Sequence, residues 1–244
     1  MKYMGSKSKI AADIVPILKG YMQKYRCDLY VEPFVGGANV IDKMGGFVRI
    51  GADLNKYLIA LLNEAPRVCE MPDTITHEHY SDVRDSYNRN TDKYPDWYKG
   101  AVGFLASYNG RFFDGGYSGI RKTSEGTERN YYLEAKRNFL AQAERIYTVN
   151  FLAGDYADIC GEFKNCLIYC DPPYKDTKQY GVSRYFDTAH FWEWARKMAK
   201  NNIVLVSEQT APDGIKCIWE KDCTRTIKYD KTKTATEKLF EVKA

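Results

Sequence analysis

The sequence predicts a doubly wound α/β sheet with an inserted lobe, on three observations. Residues 29–53 read as strand, glycine turn, helix start, strand and acid, the opening of a parallel βαβ unit. Three more short apolar runs, 149–155, 166–170 and 203–206, supply further strands in the second half. Between these parts, residues 66–130 turn polar, aromatic and glycine-rich. The expected division is a core of residues 1–65 and 131–244 interrupted by a lobe of residues 66–130.

Taken in order, Ile10, Ile14, Ile17, Leu18 and Tyr21 recur at helical spacing and predict an amphipathic helix over residues 8–24. Leu29, Tyr30 and Val31 begin a strand that runs into Glu32-Pro33-Phe34-Val35-Gly36-Gly37-Ala38-Asn39, a glycine turn, and residues 40–44 look like the opening of a helix. Residues 47–52 predict a second strand stopping at Asp53, and residues 54–63 a second helix. In the lobe, residues 108–119 predict an exposed loop or hairpin. Residues 132–147 return to helical spacing. Phe191, Trp194, Ala195 and Met198 share one helical face, expected to pack on the sheet. Residues 224–243 alternate enough to form a terminal hairpin.

Composition excludes several classes. At 244 residues and 44% hydrophobic, the chain can build one sizeable core. No apolar run approaches the roughly 20 residues of a membrane span, and the first residues lack a signal peptide's apolar stretch, so a cytoplasmic protein is expected. Seven cysteines read as reduced thiols, and without a C-x-x-C pair Cys160, Cys166 and Cys170 read as buried small hydrophobes rather than metal ligands. His77 and His79 read as surface or loop histidines. The net charge of +4 is mild, although residues 99–137 hold seven Lys or Arg against four Asp or Glu.

Chemistry enters with Asp171-Pro172-Pro173-Tyr174, directly after the apolar run 167–170. In open α/β sheets the reacting groups stand beyond the carboxyl ends of strands, and two prolines make a stiff turn without a backbone N–H at either position. The Asp171 carboxylate and Pro172 carbonyl can accept both hydrogens of an amine on a heteroaromatic ring, freeing its lone pair for attack. Tyr174 offers a face for stacking the base. The bland alternative is a structural proline turn. The loop at Gly36 and Gly37 lets backbone approach a ligand, and Asp53 is placed to accept hydrogen bonds from ribose hydroxyls or, alternatively, to cap the following helix.

Lys2-Tyr3-Met4-Gly5-Ser6-Lys7, Glu32-Pro33-Phe34-Val35-Gly36-Gly37 and Asp171-Pro172-Pro173-Tyr174, in this order and with Gly154-Asp155-Tyr156 before the last, resemble the Dam-like, alpha-group DNA adenine-N6 methyltransferases. The resemblance covers both ends of the core and is thinnest across the insertion and the last thirty residues. It implies a Rossmann-like methyltransferase sheet with a target-recognition insertion, S-adenosylmethionine as cofactor and site-specific methylation of N6 on a flipped-out adenine. It implies that Tyr3 and Lys7 help hold the cofactor, that Phe34 and Gly36 line it, that Asp53 holds its ribose and Asp155 contacts its adenine end. Asp171 would face both methyl donor and target amine. Ala38 departs from the third glycine of many members, at little cost unless the position needs positive φ.

The expected partner is double-stranded DNA, with no membrane and no metal; a restriction endonuclease partner is left open. Arg111, Tyr117, Arg121, Lys122 and Arg129 are the candidate DNA contacts. The competing readings are a methyltransferase for cytosine N4, RNA or a protein glutamine, and a catalytically degenerate DNA-binding relative.

Overall fold

The computed structural model describes residues 1–123, 125–173, 186–228 and 231–244, with residues 224–228 and 231–234 described by backbone alone. The first element is a 3₁₀ turn, Lys7–Lys9, capped by Ser6, whose side chain accepts the Ser8 N–H. Helix α1 (Ala11–Tyr25) buries Ala11, Ile14, Val15, Leu18 and Met22 along one stripe and stops at Arg26, which takes the left-handed conformation at φ 55°. The Cys27 N–H then closes on the Met22 carbonyl, satisfying a carbonyl that the helix end leaves open.

Strands β1 (Leu29–Glu32) and β2 (Val48–Asp53) pair in parallel, Leu29 opposite Val48. The helix opening expected at residues 40–44 is only a 3₁₀ turn, Ile41–Lys43, because Ala38 turns the chain at φ 56° and Gly46, at φ 94°, ends the segment before β2. Helix α2 (Lys56–Asn63) is capped by Asn55, whose side chain accepts the Tyr57 and Leu58 N–H groups. Asp53 is therefore not the cap.

Residues 66–130 hold more helix than their polar composition indicated: α3 (His77–Asn88) starts at the Thr76 cap and α4 (Asp96–Leu105) follows Pro95. Tyr80, Val83, Ala101, Val102, Phe104 and Leu105 turn inward and share one cluster with Leu58 and Leu61 of α2. His77 and His79 stand on α3 rather than in a loop, and the His79 ring bonds the Tyr98 hydroxyl at 2.7 Å. A small antiparallel hairpin, β3 (Ile120–Lys122) with β4 (Glu128–Asn130), leads into α5 (Tyr131–Ile146).

The sheet is completed by β5 (Asn150–Ala153), a short helix α6 (Tyr156–Cys160), β6 (Leu167–Cys170), α7 (Thr188–Met198) and β7 (Ile203–Glu208). The chain ends in β8 (Lys216–Lys228) and β9 (Lys231–Val242), a hairpin longer than expected and annexed to the main sheet through antiparallel pairing of β9 with β7. The strand order is β5-β2-β1-β6-β7-β9-β8. Alternating residues serve two layers: Tyr30, Leu167, Tyr169 and Leu205 face one core with α1 and α5, while Val31, Ile168, Cys170, Val204 and Val206 face α7 through Phe191, Trp194, Ala195 and Met198. All seven cysteines are free, with Cys27, Cys160, Cys166 and Cys170 buried. No helix among the described residues is long and apolar enough to cross a membrane.

Candidate active site

From β1 the chain builds outward through β2 to β5, then crosses back to lay β6 and β7 on the other side of β1. The loops after β1 and β6 thus diverge, opening a crevice at the carboxyl ends of these two strands. Polar side chains converge there. Glu32 ends β1, Asp171 follows β6, Glu208 ends β7, and Lys7 enters from the N-terminal turn.

Lys7 Nζ lies 2.8 Å from Asp171 Oδ1 and 3.5 Å from Glu237 Oε2 of β9, and all three side chains are largely buried. Burial raises the Asp171 carboxyl above its ordinary range, while Lys7 draws it back down. Burial, and then the charge of Asp171, lift Glu32 well above the usual carboxylate range. Burial pushes Glu208 up to about 7, against the Gln209 N–H that its carboxylate accepts at 2.8 Å. Beneath them the Tyr169 hydroxyl meets the Ser207 hydroxyl at 2.8 Å. Pro172 is buried beside Asp171, and Tyr174 lies outside the described residues.

The other half of the crevice is the glycine turn. Gly36, at φ 46°, donates its N–H to Asp53 Oδ2 at 3.1 Å, and the Asn55 N–H reaches Asp53 Oδ1 at 2.9 Å. Each oxygen keeps acceptor capacity for a hydroxyl pair. The Tyr3 ring is pressed beneath this turn, where a Cβ on Gly36 would come within 2.8 Å of its Cε1. Phe34 is half-buried, its ring 5.1 Å from that of Tyr156 and edge-on to Phe191 at 5.7 Å. Asp155 caps α6 by accepting the Ala157 N–H at 2.9 Å, one strand beyond Asp53.

Tyr3, Lys7, Phe34, Gly36, Asp53, Asp155 and Asp171 thus line one edge of the sheet. The ammonium of Lys7, expected to reach a cofactor carboxylate, is held by the two protein carboxylates. The residues can host a nucleoside with a methionine-like tail: an aromatic wall, a buried acid with open acceptor sites, and one oxygen of Glu32 that has no hydrogen-bond partner among the described residues. Sequence reasoning missed Glu208 and Glu237. Glu208 carried a weaker form of the signal at Asp171, an acid one residue past the apolar run 203–206, whereas the placement of Glu237 depends on the register of β9.

The candidate DNA contacts form a separate group on the lobe. Arg121, Lys122 and Arg129 are exposed on the β3–β4 hairpin, Arg121 donating to the Tyr117 carbonyl at 2.7 Å and Arg129 pairing with Glu134 at 2.6 Å. The Tyr117 hydroxyl donates to the Ile75 carbonyl, and Arg111 is half-buried. A chain of ring contacts leads from the crevice to Tyr117: ring centroids lie 5.8 Å apart for Tyr3 and Phe104, 4.8 Å for Phe104 and Phe112, 4.7 Å for Phe112 and Phe113, 5.5 Å for Phe113 and Tyr80, and 5.5 Å for Tyr80 and Tyr117.

Comparison with known proteins gives the following. The family model of D12 class N6 adenine-specific DNA methyltransferases matches residues 3–204. The DNA adenine methylase of Salmonella typhi is 30% identical over 234 residues, covering 85% of this chain and 79% of that one. The Type II methyltransferase M.MjaIII of Methanocaldococcus jannaschii is 26% identical over 200 residues, covering 72% and 68%. Among solved structures, the rRNA methyltransferase aviRa of Streptomyces viridochromogenes aligns over 98% of this chain and 86% of its own at 11% identity and a TM-score of 0.44.

Proposed function

Because the chain belongs to the D12 class N6 adenine-specific DNA methyltransferases, we propose the following division of labour among its residues. The protein methylates adenine N6 in DNA. Its cofactor, S-adenosylmethionine, supplies the methyl group from a sulfonium centre.

Asp53 holds the cofactor's ribose through the acceptor sites that Gly36 and Asn55 leave open, Asp155 meets the adenine end, and Phe34 forms the wall beside it. Gly36 lets the turn approach, and Tyr3 supports the turn from below. The spare oxygen of Glu32 matches an ammonium donor. Asp171 and the Pro172 carbonyl accept the two N6 hydrogens of the target base, which favours a pyramidal nitrogen with its lone pair available. Tyr174 stacks on the base. Lys7, 2.8 Å away, offsets part of the burial that raises the Asp171 carboxyl.

The observation that carries this reading is the Lys7–Asp171 pair at the crevice where the sheet changes direction. An adenine paired and stacked in double-stranded DNA cannot reach that depth, so it is flipped out, at a cost of a few kcal/mol that stacking offsets. Residues 66–130 act as the target-recognition lobe, with Arg111, Tyr117, Arg121, Lys122 and Arg129 toward the DNA. Arg121 stands directly opposite Arg129 in the β3–β4 register. Glu134 already matches the charge of Arg129, so the charge left for a polyanion at this register pair is that of Arg121.

The test is to incubate the protein with labelled S-adenosylmethionine and unmethylated DNA, digest to nucleosides and identify the labelled base. Label in N6-methyldeoxyadenosine is expected, and an Asp171→Asn variant that folds and binds cofactor should produce none. Normal turnover by that variant would remove Asp171 from the mechanism.

A further inference from the structure

The terminal hairpin outruns the sheet that it closes. β9 pairs with β7 only from Lys238, opposite Glu208, to Val242, opposite Val204. β7 runs parallel to β6, so Glu208 stands at the carboxyl edge of the sheet, where the crevice opens. Residues 231–237 of β9 continue past that edge, paired among the described residues only with residues 221–228 of β8. At about 3.4 Å per residue, this ribbon overhangs the edge by on the order of 20 Å. That is long enough to cross a major groove of B-DNA, about 12 Å wide, from one phosphate strand to the other.

Charge is distributed unevenly along it. Next to the sheet the charges are matched: Lys221 reaches Asp13 of α1 at 2.8 Å, Lys238 stands 3.8 Å from Glu220, Asp222 accepts the Thr236 hydroxyl, and Glu237 meets Lys7 at 3.5 Å. Farther out, residues 224–228 and 231–234 include Arg225, Lys228, Lys231 and Lys233 and no Asp or Glu; Asp230, between the strands, lies outside the described residues. The register sets Arg225 opposite Lys233 and Lys228 opposite Lys231. Like charge against like disfavours pairing, at the free end of a two-stranded ribbon that is marginal by itself. The faces are sorted as well. Alternation along β9 puts Lys231 and Lys233 on the face of Glu237, the one that meets Lys7, and Thr232, Thr234 and Thr236 on the other. Arg225, as the register partner of Lys233, joins the crevice face.

We propose that this ribbon is a second DNA contact besides residues 66–130, in which Arg225, Lys228, Lys231 and Lys233 neutralise phosphates of the duplex flanking the extruded adenine. The inference rests on duplex DNA being the substrate. Its ligand is the phosphate backbone, so the contact holds the duplex over the crevice and reads no sequence. A polyanion also removes the repulsion that the two like-charged pairs impose on the ribbon, so binding and ribbon pairing support each other. All four residues lie beyond residue 204, where the family match stops.

The experiment measures the affinity of the full chain for a labelled duplex of mixed sequence at several salt concentrations, with one of its strands, unpaired, as a second probe. Each phosphate neutralised on B-DNA contributes about 0.9 to the slope of log affinity against log salt. Arg225→Gln combined with Lys233→Gln should lower that slope by about two and the affinity at low salt by about tenfold or more. Its melt should stay unchanged or rise, because a like-charged pair is gone. Lys216→Gln combined with Lys243→Gln removes the same charge from exposed positions at the opposite end of the hairpin and should leave the slope as it was. An unchanged slope in the ribbon variant overturns the contact, and so does an equal loss in the variant at the other end. Should the ribbon variant fail to fold, Lys231→Gln decides, with an expected drop of about one in slope. Binding of the single strand but not of the duplex by the unaltered protein overturns the duplex reading and the contact with it, whereas duplex binding with an unchanged slope overturns the contact alone.

Discussion

Gly100 of α4 passes so close to α2 that a methyl group on it would overlap the carbonyl oxygen of Tyr57 and stand 3.0 Å from the Leu61 Cβ. This contact seats the first helices of residues 66–130 on the core, and it makes a prediction in which two rules oppose each other. Alanine is the better helix former, by roughly 1 kcal/mol. The overlap is with backbone, which cannot swing aside, and overpacking of this kind costs about 1–3 kcal/mol. Gly100→Ala should therefore lower stability by on the order of 1 kcal/mol, seen as a thermal midpoint a few degrees lower. An equal or higher midpoint would show that α4 is free to slide on α2.

Ala38 gives the second prediction. It is fully buried with φ 56°, a conformation costing a non-glycine residue about 1–2 kcal/mol. Ala38→Gly removes that strain but adds chain entropy to the unfolded state and deletes a buried methyl, so stability should change by no more than about 1 kcal/mol. Ala38→Val, β-branched at positive φ in a filled core, should cost about 2 kcal/mol or more and weaken cofactor binding by displacing the turn. Denaturant titration of both variants checks the pair. Similar losses in the two would mean that volume, not backbone conformation, governs the site.

The legibility of this chain follows from which signals are local. The parallel strands announced themselves as apolar runs, and Asp53 and Asp171 as acids closing such runs. The turn at residues 38–46 was misjudged because its apolar residues, Val40, Ile41 and Met44, are buried by an irregular path as readily as by a helix. The two helices at 77–105 were hidden by aromatics such as Tyr80 and Trp97, whose polar tips disguise inward-facing positions. Glu237 meets Lys7 across 230 positions of chain, and only the strand register brings them together.

The buried acids predict a pH dependence of stability. Glu208 is raised on folding from 4.5 to about 7, so its neutral form is favoured in the folded state. Its stabilising contribution is complete below the unfolded value, declines as pH rises through about 7 and is gone above it. Asp171 and Glu32 are raised in the same direction. Burial acts in the opposite sense on the Met1 ammonium, lowered to about 5, so the contribution of Glu208 is read as a difference: between pH 5.5 and 8.5 the stability of the unaltered protein, read from its melt, should change less favourably with rising pH than that of Glu208→Gln. Glu208→Gln is permanently neutral, and the two changes should differ by an amount on the order of 2 kcal/mol. The same pH dependence in both proteins would contradict the raised Glu208 carboxyl.

The hairpin predicts unequal roles for charges that look alike in sequence. Arg121 and Lys122 point their charges into solvent, Arg121 anchored only by the Tyr117 carbonyl, whereas Arg129 donates two hydrogen bonds to Glu134, at 2.6 and 2.8 Å. A phosphate meeting Arg121 gains a charge that no carboxylate among the described residues is already using. At Arg129 it must compete with Glu134, which turns part of the attraction into exchange of one anion for another. Removing a side chain that neutralises a phosphate reduces the slope of log affinity against log salt by about one. Arg121→Ala and Lys122→Ala should each do so, and Arg129→Ala should reduce it by distinctly less, since Glu134 already matches the charge of Arg129 before DNA arrives. Glu134→Gln should correspondingly strengthen binding at low salt. Titrations of one duplex at several salt concentrations give all four slopes; an Arg129→Ala slope change as large as that of Arg121→Ala would mean that the ion pair opens on the DNA and that both arginines reach phosphate.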